Sequence, residues 1–147
     1  MMNIMNWKIK LLFVFGISFI SLPGLRSQVT GMWKTIDDRN GSEKSVMEIF
    51  EMDGKLHGRI ITLLQGATYT SCDKCKGELK DKPLVCMVII HDLTQTATGG
   101  VDGTVMDPNS GKTYDLYVEL ENPDKLKLRG YIGIPLLGRT QYWYRMK

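Results

Sequence analysis

The chain has 147 residues, 43% hydrophobic and 24% charged, the balance of a packed globular protein rather than a disordered one. A formal net charge of +3 hints at an anionic partner, while fifteen glycines without a period exclude collagen and favour turns over long helices. Three cysteines are too few for a disulfide-built mini-protein, and the composition excludes a transmembrane bundle, a repeat array or a multidomain enzyme.

The N-terminus reads in three parts. Residues 1–10 are polar and carry Lys8 and Lys10 with no acid, residues 11–22 (LLFVFGISFISL) are apolar, and Pro23-Gly24 ends the run. Leu25-Arg26-Ser27 supplies the residues that a signal peptidase reads, so residues 1–27 are expected to be a cleaved secretory leader. A membrane anchor is the rival, but twelve apolar residues are short of the roughly 20 that span a bilayer. The first cysteine is Cys72, so lipid attachment at a new N-terminal cysteine is not expected. Removing the leader also removes Lys8, Lys10 and Arg26, which leaves residues 28–147 with sixteen basic and sixteen acidic side chains. The pull toward anions disappears with it. The remaining Lys and Arg are scattered, so nucleic acid is not an expected partner.

Residues 28–147 read as one domain of short strands. Gly31–Ile36 is followed by a turn through Asn40-Gly41; residues 45–52 stop at Asp53-Gly54, and 55–64 resume as the hairpin partner. A longer loop, 65–83, holds Cys72 and Cys75 and has room for a short helical turn around Lys80. Residues 84–93 form an apolar run that fits helix then strand, since periodicity does not separate the two over so few residues. Strands at 100–106 and 112–121 flank the turn at 107–111, and Asn122-Pro123-Asp124 leads into 125–131. Residues 140–146 close the chain. In the later strands Leu116, Val118, Leu126 and Leu128 alternate with Asp115, Tyr117, Glu119, Lys125, Lys127 and Arg129. Period-two alternation gives one wet and one buried face. About eight strands joined mostly by hairpins predict an all-β fold, a small antiparallel eight-stranded up-and-down barrel.

Gly31-Met32-Trp33 opening the first strand, with an arginine near the end of the last, resembles the calycin (lipocalin-like) barrel signature. In a closed eight-stranded meander the end of strand eight lies beside the start of strand one. Arg145 is then expected to cover the Trp33 indole by a cation–π contact, with Gly31 letting the chain pass close to the ring. Longer stretches carry a closer likeness: Gly-Met-Trp-Lys-Thr-Ile-Asp-Asp at 31–38, Cys-Asp-Lys-Cys at 72–75, Asp-Pro-Asn-Ser-Gly-Lys-Thr-Tyr at 107–114, and Arg-Gly-Tyr-Ile-Gly-Ile-Pro-Leu-Leu-Gly-Arg-Thr-Gln-Tyr-Trp at 129–143. Together they resemble an uncharacterised, domain-of-unknown-function family of exported bacterial proteins with a lipocalin-like fold. That resemblance implies fold and export, and no established activity.

Chemistry-bearing motifs are few. Cys72 and Cys75 have the spacing of a local disulfide, a redox pair or half a metal site. Their polar loop lacks the strand-to-helix setting of thioredoxin-like chemistry, and no second Cys-x-x-Cys pair joins them, so a disulfide pinning the loop is expected. Cys86, inside an apolar run, is expected to be a buried free thiol. Gly111-Lys112-Thr113 is not a nucleotide loop, because Met106 stands where the motif requires glycine. Asp107, Asn109 and Ser110 fit a plain turn better than a calcium loop, and Asn40-Gly41-Ser42 a turn better than a glycosylation site. His57 and His91 read as isolated. No catalytic constellation, metal or cofactor is expected.

The most unusual segment is 132–138 (IGIPLLG), apolar where a hairpin loop is normally polar. It suits a cap over the barrel, the lining of a cavity entrance, a plug completing the core, or an exposed patch for a membrane or partner. The leading expectation is a non-enzymatic exported protein, periplasmic or extracellular, that binds a small apolar or amphipathic ligand. Leu116, Val118, Leu126 and Leu128 would line the site, with Ile134 and Leu136 at its mouth. The alternatives are a filled-barrel envelope protein that binds a protein or membrane through its loops, and a thiol-redox or metal protein acting through Cys72 and Cys75.

Overall fold

The structure, a computed structural model, describes residues 29–147; the expected leader, 1–27, lies outside the described residues. Eight antiparallel strands follow one another around a closed barrel, each paired with its neighbour in sequence and β8 returning to β1. They are β1 (Gly31–Ile36), β2 (Glu43–Met52), β3 (Lys55–Leu63), β4 (Val88–Gln95), β5 (Gly99–Asp107), β6 (Lys112–Asn122), β7 (Lys125–Tyr131) and β8 (Arg139–Arg145). Single 3₁₀ turns at Gly77–Leu79 and Pro135–Leu137 are the only helical elements among the described residues. The apolar run 84–93 therefore contains no α-helix: its first part is loop, and β4 begins at Val88.

The connections sort the barrel into two ends. The β2–β3 link is a two-residue turn in which Asp53 and Gly54 have φ of 52° and 74°, the left-handed pair that matches strand twist. It shares one end with the β4–β5 and β6–β7 turns. The longer connections, 37–42, 64–87, 108–111 and 132–138, lie at the other.

The end with the short turns is packed shut. Trp33, Ile49, Leu56, Ile90, Leu93 and Leu126 are almost completely buried there. Gly103 on β5 makes room for Leu93, since a Cβ at that position would stand 2.6 Å from the Leu93 Cγ. The Trp33 indole donates from Nε1 to the Val29 carbonyl at 2.9 Å. Arg145, opposite Trp33 in the β1–β8 ladder, carries its guanidinium 4.2 Å from the Trp33 ring centroid. It also donates to the carbonyls of Thr30 (3.0 Å) and Pro123 (2.7 Å), which ties together the chain start, the β6–β7 turn and the last strand. Gly31 has φ 124° and a Cβ there would press on the arginine at 3.0 Å, so this crossing needs glycine.

The opposite half is underfilled because several of its inward positions, on β1, β2, β7 and β8, carry small or polar residues. Thr35 and Ser45 stand opposite each other on β1 and β2, while Gly130 and Gln141 occupy inward sites on β7 and β8. Interiors reach crystal-like density only when side chains meet across the barrel. These are too short to do so.

Candidate functional site

The underfilled half is a cavity of about 1130 Å³ open at the long-loop end. Its two walls differ. Ile60, Ile89, Val105, Leu116 and Leu128, from β3 to β7, form the apolar wall. Thr35, Ser45, Gln141 and Trp143, from β1, β2 and β8, form the polar one. The strand register explains the grouping: Thr35 lies opposite Ser45 on one side and Trp143 on the other, and Gln141 precedes Trp143 on the same face.

The cationic side chains at the mouth are already paired with carboxylates. Asp37 is buried, and Arg39 donates to it from Nε at 3.0 Å, Nη2 at 2.9 Å and its backbone N–H at 2.9 Å. Those bonds hold the Asp37 carboxyl far below the usual carboxylate range, more than offsetting the opposing effect of burial, and Lys44 Nζ at 3.4 Å adds to them. Next to it, Asp38 pairs with Arg139 at the start of β8, which lowers the carboxyl and raises the guanidinium. This second pair matters because β1 and β8 are in register only from Trp33 to Thr35. Toward the mouth the two strands separate, and Asp38–Arg139 spans the opening.

The 132–138 loop stands at the rim. Arg129 holds its backbone, donating to the Pro135 carbonyl at 2.9 Å and the Leu136 carbonyl at 3.1 Å, and to Thr140 Oγ1 at 2.7 Å. Its side chains face water: Ile132 is 68% exposed, Leu136 82% and Leu137 77%. Those values exclude the buried plug. Ile132 and Leu137 contribute to the cavity edge, whereas Ile134 and Leu136 do not.

The named sequence candidates therefore separate. Leu116 and Leu128 line the cavity, while Val118 and Leu126 are buried in the barrel without lining it. Thr35, Ser45, Met47, Ile60 and Trp143 line it without having been singled out, although alternation in β1, β2 and β8 carried the signal. Cys72 and Cys75 are joined in a disulfide, with their Cα atoms 5.3 Å apart, and both are buried. Bonded to each other, neither offers a thiolate to a metal or substrate. Their loop folds down beside the mouth, with Cys75 Sγ 3.6 Å from the Met106 sulfur and Leu84, Thr68 and Tyr69 reaching the cavity.

Two expectations are corrected. Cys86 is exposed, not buried, because the chain turns there with φ 70° before β4 begins. His57 and His91 are not isolated: their rings meet edge-on at 6.1 Å, and His57 is buried beside Phe50. Neither lines the cavity. Among the described residues, no group of three or more His, Cys, Asp or Glu side chains is placed to hold a metal ion.

Comparison with known proteins agrees with this architecture. The model of a family described as "Uncharacterized protein conserved in bacteria (DUF2147)" matches residues 31–145. Among solved structures, protein HP1028 from Helicobacter pylori, described as belonging to the lipocalin family, is similar at 21% sequence identity with a TM-score of 0.73. The match covers 83% of this chain and 85% of that one. No curated protein matches.

Proposed function

This chain belongs to the DUF2147 family of uncharacterised bacterial proteins, and on that footing we propose that it is an exported, non-enzymatic binder of a small apolar or amphipathic molecule. The observation that carries the reading is the cavity of about 1130 Å³, which is open at one end only because the other is sealed by Trp33 and Arg145. Its size is slightly above the roughly 300–1,000 Å³ of pockets that take small molecules, leaving ample room for one, and an apolar wall facing a few polar groups is the usual make-up of such sites. The lipocalin-like barrel supports the same reading. Export rests on the leader anatomy of residues 1–27, and the Cys72–Cys75 disulfide suits an oxidising periplasm or exterior.

The test is uptake of N-phenylnaphthylamine, a fluorescent apolar probe, by purified protein lacking residues 1–27. Saturable enhancement is expected at one probe per chain. Replacing Leu116 and Leu128 together with Trp should fill the cavity and abolish uptake while the barrel stays folded by circular dichroism. No uptake by the unsubstituted protein, or equal uptake by the filled one, would contradict the reading.

A second reading has its own observation, the solvent-facing Leu136 and Leu137 on a loop whose carbonyls Arg129 binds. Such a rim suits contact with a membrane or another protein. Co-sedimentation with lipid vesicles that is lost in Leu136→Ser/Leu137→Ser would support it; equal sedimentation of both proteins would remove it.

A further inference from the structure

Hydrogen-bond accounting along the polar wall points to the kind of ligand. Ser45 donates its backbone N–H to Thr35 Oγ1 at 3.1 Å, and the Thr35 and Ser45 hydroxyls share one bond of 2.8 Å. Two hydroxyls bring two hydrogens and only one lies between them. The other has no acceptor among the described residues, whichever oxygen carries it. In the adjoining β8 position Trp143 adds ring surface to this wall but no donor, because its Nε1–H is fully buried and does not open onto the cavity. The Gln141 side chain, two residues before it on the same face, borders the cavity as well. These groups sit below the mouth on adjoining strands. All face an apolar wall.

Charge narrows the class further. Every cationic side chain lining the cavity already has a carboxylate: Arg39 and Lys44 share Asp37, and Arg139 holds Asp38. A charged ligand group taken down to Thr35 and Ser45 would meet only neutral hydroxyls, and burying an unpaired charge is strongly unfavourable. A pure hydrocarbon would fare poorly for the opposite reason, because it would strip water from these donors and replace it with nothing.

Building on the cavity reading above, we infer that the ligand is an uncharged amphipath that inserts its polar end first. Its hydroxyl or carbonyl oxygen accepts from the Thr35/Ser45 hydroxyl pair, and its apolar body lies on Ile60, Leu116 and Leu128. The tail leaves past Ile132 and Leu137, the aliphatic side of a mouth that is otherwise polar. The orientation is opposite to one with the polar group left in solvent.

The experiment is competition against N-phenylnaphthylamine by three ligands of equal chain length: decanol, decanoate above its pKa, and decane. On the unsubstituted protein decanol should compete more strongly than decanoate. In Thr35→Val/Ser45→Ala the half-displacing concentration of decanol should rise about tenfold, the loss of one buried hydrogen bond, while that of decane does not rise. Ser45→Ala alone, which leaves the Thr35 hydroxyl hydrogen free, should keep the decanol value, and circular dichroism of the double variant guards against misfolding. Decanol and decane shifting together in the double variant, Ser45→Ala losing decanol as strongly as the double variant, or decanoate matching decanol would overturn the inference and leave the cavity reading standing. Failure of the unsubstituted protein to take up the probe at all would overturn both.

Discussion

Replacing Arg145 with Met keeps most of the side chain's apolar stem but removes its charge and donors. The guanidinium lies over the Trp33 ring at 4.2 Å and also donates to Thr30 and Pro123. A partly desolvated cation–π contact contributes about 0.5–2 kcal/mol. Each of the two hydrogen bonds adds on the order of 1 kcal/mol net. The loss is therefore about 2.5–4 kcal/mol, a large share of the roughly 5–15 kcal/mol available to a small domain. For a domain of this size that corresponds to a fall in Tm of about 10–15 °C. Thermal melts followed by circular dichroism, with urea melts followed by tryptophan emission, measure it. Arg145→Lys should recover only part of the loss, because an ammonium cannot reach both carbonyls and cover the ring at once. A Tm for Arg145→Met within about 2 °C of the unsubstituted protein, under half the shift that one kcal/mol produces, would refute the reasoning.

Other expectations follow from the same geometry. Unfolded but unreduced protein should show one reactive thiol, Cys86, and three only after reduction; three without reductant would remove the Cys72–Cys75 bond. Cys72→Ala/Cys75→Ala should keep the barrel and lose about 2 kcal/mol of stability in a denaturant melt, the loop-closure value for so short a span. Asp37, whose folded pKa lies below its unfolded one, contributes stability that is complete above the usual carboxylate range and is lost as pH falls through that range toward its folded pKa. Asp37→Asn should therefore be less stable at neutral pH and show a shallower loss between about pH 5 and pH 2; an unchanged acid limb would contradict the pairing. Asp38→Asn should alter stability by no more than about 1 kcal/mol, since its pair with Arg139 is partly exposed. It should nonetheless speed probe release measured by stopped-flow fluorescence, because that pair spans the gap between β1 and β8 near the mouth.

Much of the barrel was legible because its signals are local. Asp53-Gly54 names its own turn, and Leu116, Val118, Leu126 and Leu128 alternate cleanly enough to set the faces of β6 and β7. The meander then brings Arg145 to Trp33 without further information. The site was harder to read because a cavity is defined by what fails to meet across the barrel. Thr35 and Ser45 look like ordinary polar strand residues until register places them opposite each other, facing inward. Val118 and Leu126 share the alternation of Leu116 and Leu128 but lie where the barrel is filled, and distance from the sealed end is not a sequence property. Cys86 was misplaced for a related reason: its apolar neighbours suggested a buried segment, whereas the residues before Val88 belong to a loop that needs a left-handed turn.

The central claim is that the cavity between the two walls holds a small molecule. Native mass spectrometry of the protein isolated from its own cells tests it most directly. One retained neutral molecule per chain is expected, released on denaturation and absent from Leu116→Trp/Leu128→Trp. A bare polypeptide mass, under conditions that preserve an added probe in the same cavity, would contradict it.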